Sequence, residues 1–124
     1  MNKGSLLIKA SFFPIRLIAF SKNNVEIEVT VNNNTEDIYW MECDIELPEA
    51  LSLASDKKLL KGRSRVGIVG PNANVTKRVK IYGGESSYPD SYSIKLTAYG
   101  FDEEGKIKIH DSKTVKLRCE KIAH

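Results

Sequence analysis

Val25-Glu26-Ile27-Glu28-Val29-Thr30-Val31-Asn32-Asn33-Asn34-Thr35-Glu36-Asp37 is the stretch whose reading decides the fold class. Val25, Ile27, Val29 and Val31 recur at every second position, with Glu26, Glu28 and Thr30 between them. Successive side chains of an extended chain point to opposite faces, so this pattern makes one apolar face and one polar face. The residues from Asn32 to Asp37 read as a turn, because Asn and Asp tolerate left-handed backbone and bond locally. The stretch is a half-buried strand, and such a strand needs partners.

Working outward, the same period continues. Over 38–47, Tyr39, Met41, Cys43, Ile45 and Leu47 share one face, while Ile38, Trp40, Glu42, Asp44 and Glu46 share the other. Pro48 ends that strand, and the segment to Gly62 reads as a connection, with room for a short helical turn within 47–60. A short strand is expected over 65–69, a turn over 70–74 and a strand over 75–82. After a loop at 83–90, the strand 91–101 turns Tyr92, Ile94, Leu96 and Ala98 inward. Asp102-Glu103-Glu104-Gly105 is a hairpin-type turn. A last strand covers 106–109 and 114–122, interrupted near His110-Asp111. Upstream, 6–20 is a first strand broken at Pro14, a residue that suits an edge strand or a switch between sheets. Strands at this spacing, separated by turn residues, predict an all-β, immunoglobulin-like Greek-key sandwich of about seven strands.

Bulk composition sets bounds on function. The 124 residues make one domain, 1–124, with 41% hydrophobic and 28% charged residues, a globular balance. A net charge of +3, from 19 basic and 16 acidic residues, does not by itself imply a nucleic-acid partner. The apolar N-terminal stretch is interrupted by Lys9, Pro14 and Arg16, which excludes a transmembrane helix and a clean signal peptide. With Met1 as the native start, the expectation is a cytoplasmic protein; as an excerpt, the same text fits a secreted or surface protein. No cofactor motif and no paired-cysteine zinc spacing is present.

Tyr88-Pro89-Asp90-Ser91-Tyr92-Ser93-Ile94-Lys95-Leu96 resembles the opening of strand F in many Ig-like domains. The run Val29-Thr30-Val31-Asn32-Asn33-Asn34-Thr35 is similar to the end of strand B in bacterial and archaeal Ig-like modules, among them the cell-adhesion-related domains. The resemblance covers about Ile15 to Cys119. It implies that Tyr92 is a tyrosine-corner residue and that the chain has a binding or spacer role. Cys43 and Cys119 fall outside the antibody pattern, on the third and last strands, so the antibody disulfide is not carried over. Their parity is inward, which leaves buried free thiols or a mutual bond as alternatives.

Candidate sites follow from this frame. His110-Asp111-Ser112 is contiguous, whereas a catalytic triad is assembled in space, so the tripeptide reads as a loop. His124, at the terminus, reads as frayed. Glu42, Asp44 and Glu46 could be paired acids, but an Ig-like order sets them across from Lys95, Lys116 and Arg118, and sets Glu26 and Glu28 across from Arg78 and Lys80. Both outer faces then read as charge ladders. Lys57, Lys58, Lys61, Arg63 and Arg65 make a basic loop that offers contact to phosphate or to an acidic partner. Trp40 and Tyr99 share an outer face and form an interaction hot spot there, unless a β-bulge turns Trp40 into the core. Asn33-Asn34-Thr35 and Asn74-Val75-Thr76 match glycosylation acceptors. The expected function is a non-enzymatic protein-interaction or scaffolding module. The alternatives are an extracellular adhesion or carbohydrate-binding module, and nucleic-acid binding through the basic loop. Edge strands leave a homodimer open.

Overall fold

Pro14 divides the N-terminal apolar stretch between two sheets. In the computed structural model, which describes residues 4–122, the segment before it is β1 (Leu6–Phe13) and the segment after it is β2 (Arg16–Ile18). The strands that follow are β3 (Asn23–Asn33), β4 (Tyr39–Glu46), β5 (Leu51–Ser52), β6 (Lys61–Val69), β7 (Asn74–Gly83), β8 (Asp90–Phe101) and β9 (Ile107–Glu120). One sheet has the order β1-β3-β7-β5 and the other β2-β9-β8-β4-β6. Among the described residues, the result is an all-β, two-sheet, immunoglobulin-like sandwich of nine strands, where about seven were expected. The count rises because the first strand splits at Pro14 and because β5 forms where a helical turn was expected.

The alternating residues meet between the sheets. Val25, Ile27, Val29 and Val31 of β3, Met41, Cys43 and Ile45 of β4, and Ile94, Leu96 and Ala98 of β8 are all buried in one core with Leu6, Ile8, Leu17 and Leu117. Burying a side chain of this size is worth about 1.5–3 kcal/mol, so this layer dominates the stability. Tyr92 stands at the start of β8 and its hydroxyl donates to the Tyr88 carbonyl at 2.6 Å, the corner that the resemblance implied.

Three segments differ from expectation. β6 begins at Lys61 and pairs with β4, lengthening the expected 65–69 strand. β9 runs unbroken through His110 and Asp111, because β8 extends to Phe101 and supplies backbone partners along that length. Between β5 and β6, Ser52 organises the connection: its Oγ donates to the Lys57 carbonyl and accepts from the amides of Ala54 and Leu59.

Asn33 closes β3 rather than opening a turn, and it is fully buried. Its Nδ2 donates to the carbonyls of Asp37, Val69 and Gly70, and its Oδ1 accepts from the amide and hydroxyl of Thr35. One amide thereby ties the loop after β3 to the turn after β6. The folded chain does not present Asn33 as a glycosylation acceptor, whereas Asn74 is exposed.

Candidate partner-binding face

The outer face of the five-stranded sheet is ordered in cross-strand rows. Ile68, Trp40, Phe101 and Ile107 stand side by side on β6, β4, β8 and β9. One pair further along come Arg65, Glu42, Tyr99 and His110, then Arg63, Asp44, Thr97 and Ser112. The first row is apolar, the second mixed, the third polar.

Trp40 lies on the surface, at 39% exposure, and Tyr39 takes the buried position. The bulge that could have turned Trp40 inward lies on the neighbouring strand. Met41 is opposite Gly67 and Glu42 is opposite Arg65, so Val66 is the extra residue and β4 keeps its parity. Ile68 and Ile38 beside Trp40 are 71% and 63% exposed. With Phe101, Glu42, Asp102 and Glu103 they line a groove of about 550 Å³.

The aromatic groups are held in place. Trp40 Nε1 donates to Glu42 Oε2 at 3.0 Å, and Glu42 Oε1 lies 3.6 Å from Arg63. Arg63 makes a two-pronged contact with Asp44, at 2.6 and 3.0 Å, and its guanidinium sits 5.0 Å above the Tyr99 ring. Tyr99 in turn lies 6.5 Å from Phe101 and 6.3 Å from His110, centroid to centroid. The Arg63 hydrogen bond holds the buried Asp44 carboxyl below the usual carboxylate range. An aromatic surface fixed in advance loses little side-chain entropy on binding.

The structure breaks up the basic loop. Lys61, Arg63 and Arg65 are on β6, opposite Glu46, Asp44 and Glu42. The acids therefore stand opposite residues read as an unbalanced cluster, and Arg63 pairs with both Asp44 and Glu42. Of the expected partners on β8 and β9, Lys95 does stand opposite Glu46, but Lys116 and Arg118 lie on β9, one strand beyond β8. Lys57 and Lys58 remain exposed in the connection, where Lys58 Nζ donates to the Glu49 carbonyl. On the other sheet, Glu26 and Glu28 are opposite Lys80 and Arg78 as expected, with Arg78 and Glu28 2.7 Å apart.

The groups considered for chemistry have other surroundings. His110, Asp111 and Ser112 lie in a continuous strand, so Asp111 faces away from its two neighbours. Thr97 and Ser112 hydroxyls share a hydrogen bond. Asp102 Oδ1 accepts from the amides of Glu104 and Lys106, closing the hairpin. Among the described residues, no three His, Cys, Asp or Glu side chains group to hold a metal ion, and no helix is long and apolar enough to cross a membrane. His124 lies outside the described residues.

Cys43 and Cys119 are both buried and free. Cys43 is opposite Ala98 and Cys119 opposite Asp90, eight residues apart on β8. That is about 27 Å of strand, whereas a disulfide needs Cα atoms within about 7 Å. Burial pushes the Cys43 thiol up to about 11, with the Asp44 charge adding to it.

No protein-family model matches the chain, and no curated protein matches it in sequence. Solved structures do match in fold. The GAE domain of yeast GGA1 is 16% identical, with a TM-score of 0.58, over 94% of this chain and 93% of that one. The CARDB domain of a Pyrococcus furiosus protein, in complex with di-metal ions, is 16% identical with a TM-score of 0.53, over 93% and 85%. The bacterial hydrophobin BslA is 14% identical with a TM-score of 0.52, over 96% and 98%. At these identities the likeness is one of fold.

Proposed function

We propose that this chain is a non-catalytic protein-interaction or scaffolding module that engages its partner through the Trp40 face. The observation that carries the reading is the contiguity of Ile68, Trp40 and Ile38, three large apolar side chains exposed around one groove. Single exposed apolar residues are ordinary, whereas a cluster rimmed by charge marks a contact surface. Tryptophan at the centre of such a cluster is the commonest anchor of a binding hot spot. The likeness to a cell-adhesion-related domain supports a place in that broad group of binding sandwiches. The crossings from β3 to β4 and from β7 to β8, each between sheets, support a Greek-key reading of the strand order.

Affinity capture with the intact chain tests this. Trp40→Ala and Ile68→Ser should each lose the captured protein, and Lys57→Ala with Lys58→Ala should retain it. All are surface changes, so thermal melts should stay within about 0.5–1 kcal/mol of the native chain. Capture that survives the loss of Trp40 and Ile68 rejects the face.

A further inference from the structure

We infer that the occupant of the Trp40 face is a second copy of this chain, in a twofold dimer whose outer sheets cross at close to a right angle. The inference rests on the reading of that face as a docking surface and names what covers it.

The positions of the apolar groups point to it. Ile38 lies just before β4 on the same groove, about 7 Å from Trp40 where the extended strand continues back to it, while Ile68 lies opposite Trp40 on β6, about 5 Å across the sheet. A twofold axis lying in the face, through Trp40 and bisecting those two directions, exchanges them. It seats Ile68 of each copy on Ile38 of the other and Trp40 on Trp40. Tyr99 is one strand across and one pair along from Trp40 in the opposite quadrant, so it also falls near the axis. Contacts of this reciprocal kind define a twofold interface, and orthogonal crossing is one of the two ways that sheets pack.

The charges obey the same exchange. Arg65 lies one strand to one side of Trp40 and one pair along β4 toward Glu42. The hairpin at Asp102–Gly105 lies to the other side, past the end of β8 and just beyond the Phe101 row. The twofold carries the hairpin of one copy onto Arg65 of the other. Among the described residues, Arg65 and Glu103 have no ion-pair partner within 4 Å, while neighbouring Arg63 and Glu104 do. The charged lining of the groove is acidic, Glu42, Asp102 and Glu103, and Arg65 stands beside it on β6 opposite Glu42, so the face carries both signs. A surface carrying both charges in exchanged positions satisfies both, and this chain carries one.

Sedimentation velocity of the intact chain, from about 10 nM to 1 mM, tests the inference, since interfaces of ordinary size dissociate at about micromolar concentration or below and smaller ones above it. The native chain should show a concentration-dependent dimer that weakens with salt. Arg65→Glu and Glu103→Arg should each weaken it at least about tenfold, since each change removes two symmetric contacts. The combined variant should restore it. Ile68→Asp should abolish it. A monomer at every concentration overturns the inference, as does a dimer indifferent to Arg65 and Glu103, which an edge-strand dimer would be. A monomer that still captures a partner in a Trp40-dependent way removes the dimer alone. Self-association and capture that both ignore Trp40 remove the docking face as well.

Discussion

Replacing Asn33 by aspartate exchanges one nitrogen for one oxygen in a fully buried side chain. The native Nδ2 lies 2.8, 3.1 and 3.0 Å from the carbonyl oxygens of Asp37, Val69 and Gly70. An ionised aspartate has no donor, so three carbonyl oxygens would face a carboxylate across the same distances. The two Nδ2 hydrogens account for about 1 kcal/mol of net stabilisation each, and leaving bare the Val69 carbonyl, the one of the three in a fully buried contact, costs about 1–3 kcal/mol more. The loss should total about 3–5 kcal/mol. For a chain of this size that is about 10–20 °C in melting temperature. The Thr35 contacts to Oδ1 survive in the variant, so the effect isolates the donor side. Thermal melts and urea midpoints should be compared for Asn33→Asp, Asn33→Ala and the exposed neighbour Asn34→Asp. If Asn33→Asp stays within about 1 kcal/mol of the native chain, or matches Asn34→Asp, the amide is not the tie between the two loops.

Gly100 offers a packing test. A Cβ there would come within 2.6 Å of Ile109 Cγ2 and 3.0 Å of the Tyr39 ring, so Gly100→Ala should cost about 1–3 kcal/mol in urea unfolding. The thiols should be inert: at pH 8 a thiol reagent should label Cys43 and Cys119 only in urea, and fast labelling of the native chain would contradict their burial. The Arg63 hydrogen bond lowers the Asp44 pKa on folding, so its contribution to stability is present above about pH 4 and is lost as pH falls through the lowered folded value. Urea midpoints from pH 7 to 2 should therefore fall less steeply in Asp44→Asn than in the native chain, and parallel curves would refute the assignment.

Much of the fold is legible in particular residues. The alternation at 25–31 reads directly as the buried face of β3, and Pro14 as an edge strand or a switch between sheets, both of which are found. Tyr92 announces its own hydrogen bond. The segments that were not legible share a physical cause. β6 carries no large apolar residue from Lys61 to Arg65, so hydrophobic periodicity is silent there and the alternation is written in charge instead. The middle of β9, from His110 to Lys113, is polar for the same reason, exposed and held by backbone pairing with β8. At the candidate face, Trp40 and Tyr99 were visible by parity. Ile68 was not singled out, because its importance depends on β6 lying against β4.

The sequence by itself determined that this is an all-β chain and which side chains turn inward on its most regular strands, while the corner at Tyr92 was implied by the resemblance to Ig-like domains. A period of two is a local property of extended backbone, so it needs no knowledge of neighbours. Only the tertiary structure decided which strand lies beside which. That choice set Lys61, Arg63 and Arg65 of the supposed basic loop opposite Glu46, Asp44 and Glu42, with Arg63 closing the ion pairs, placed the bulge at Val66 so that Trp40 stayed outside, and gathered Ile38, Trp40 and Ile68 around one groove. Pairing between strands is a long-range matter of register and hydrogen bonding, and a strand's own alternation specifies its face without specifying its neighbour.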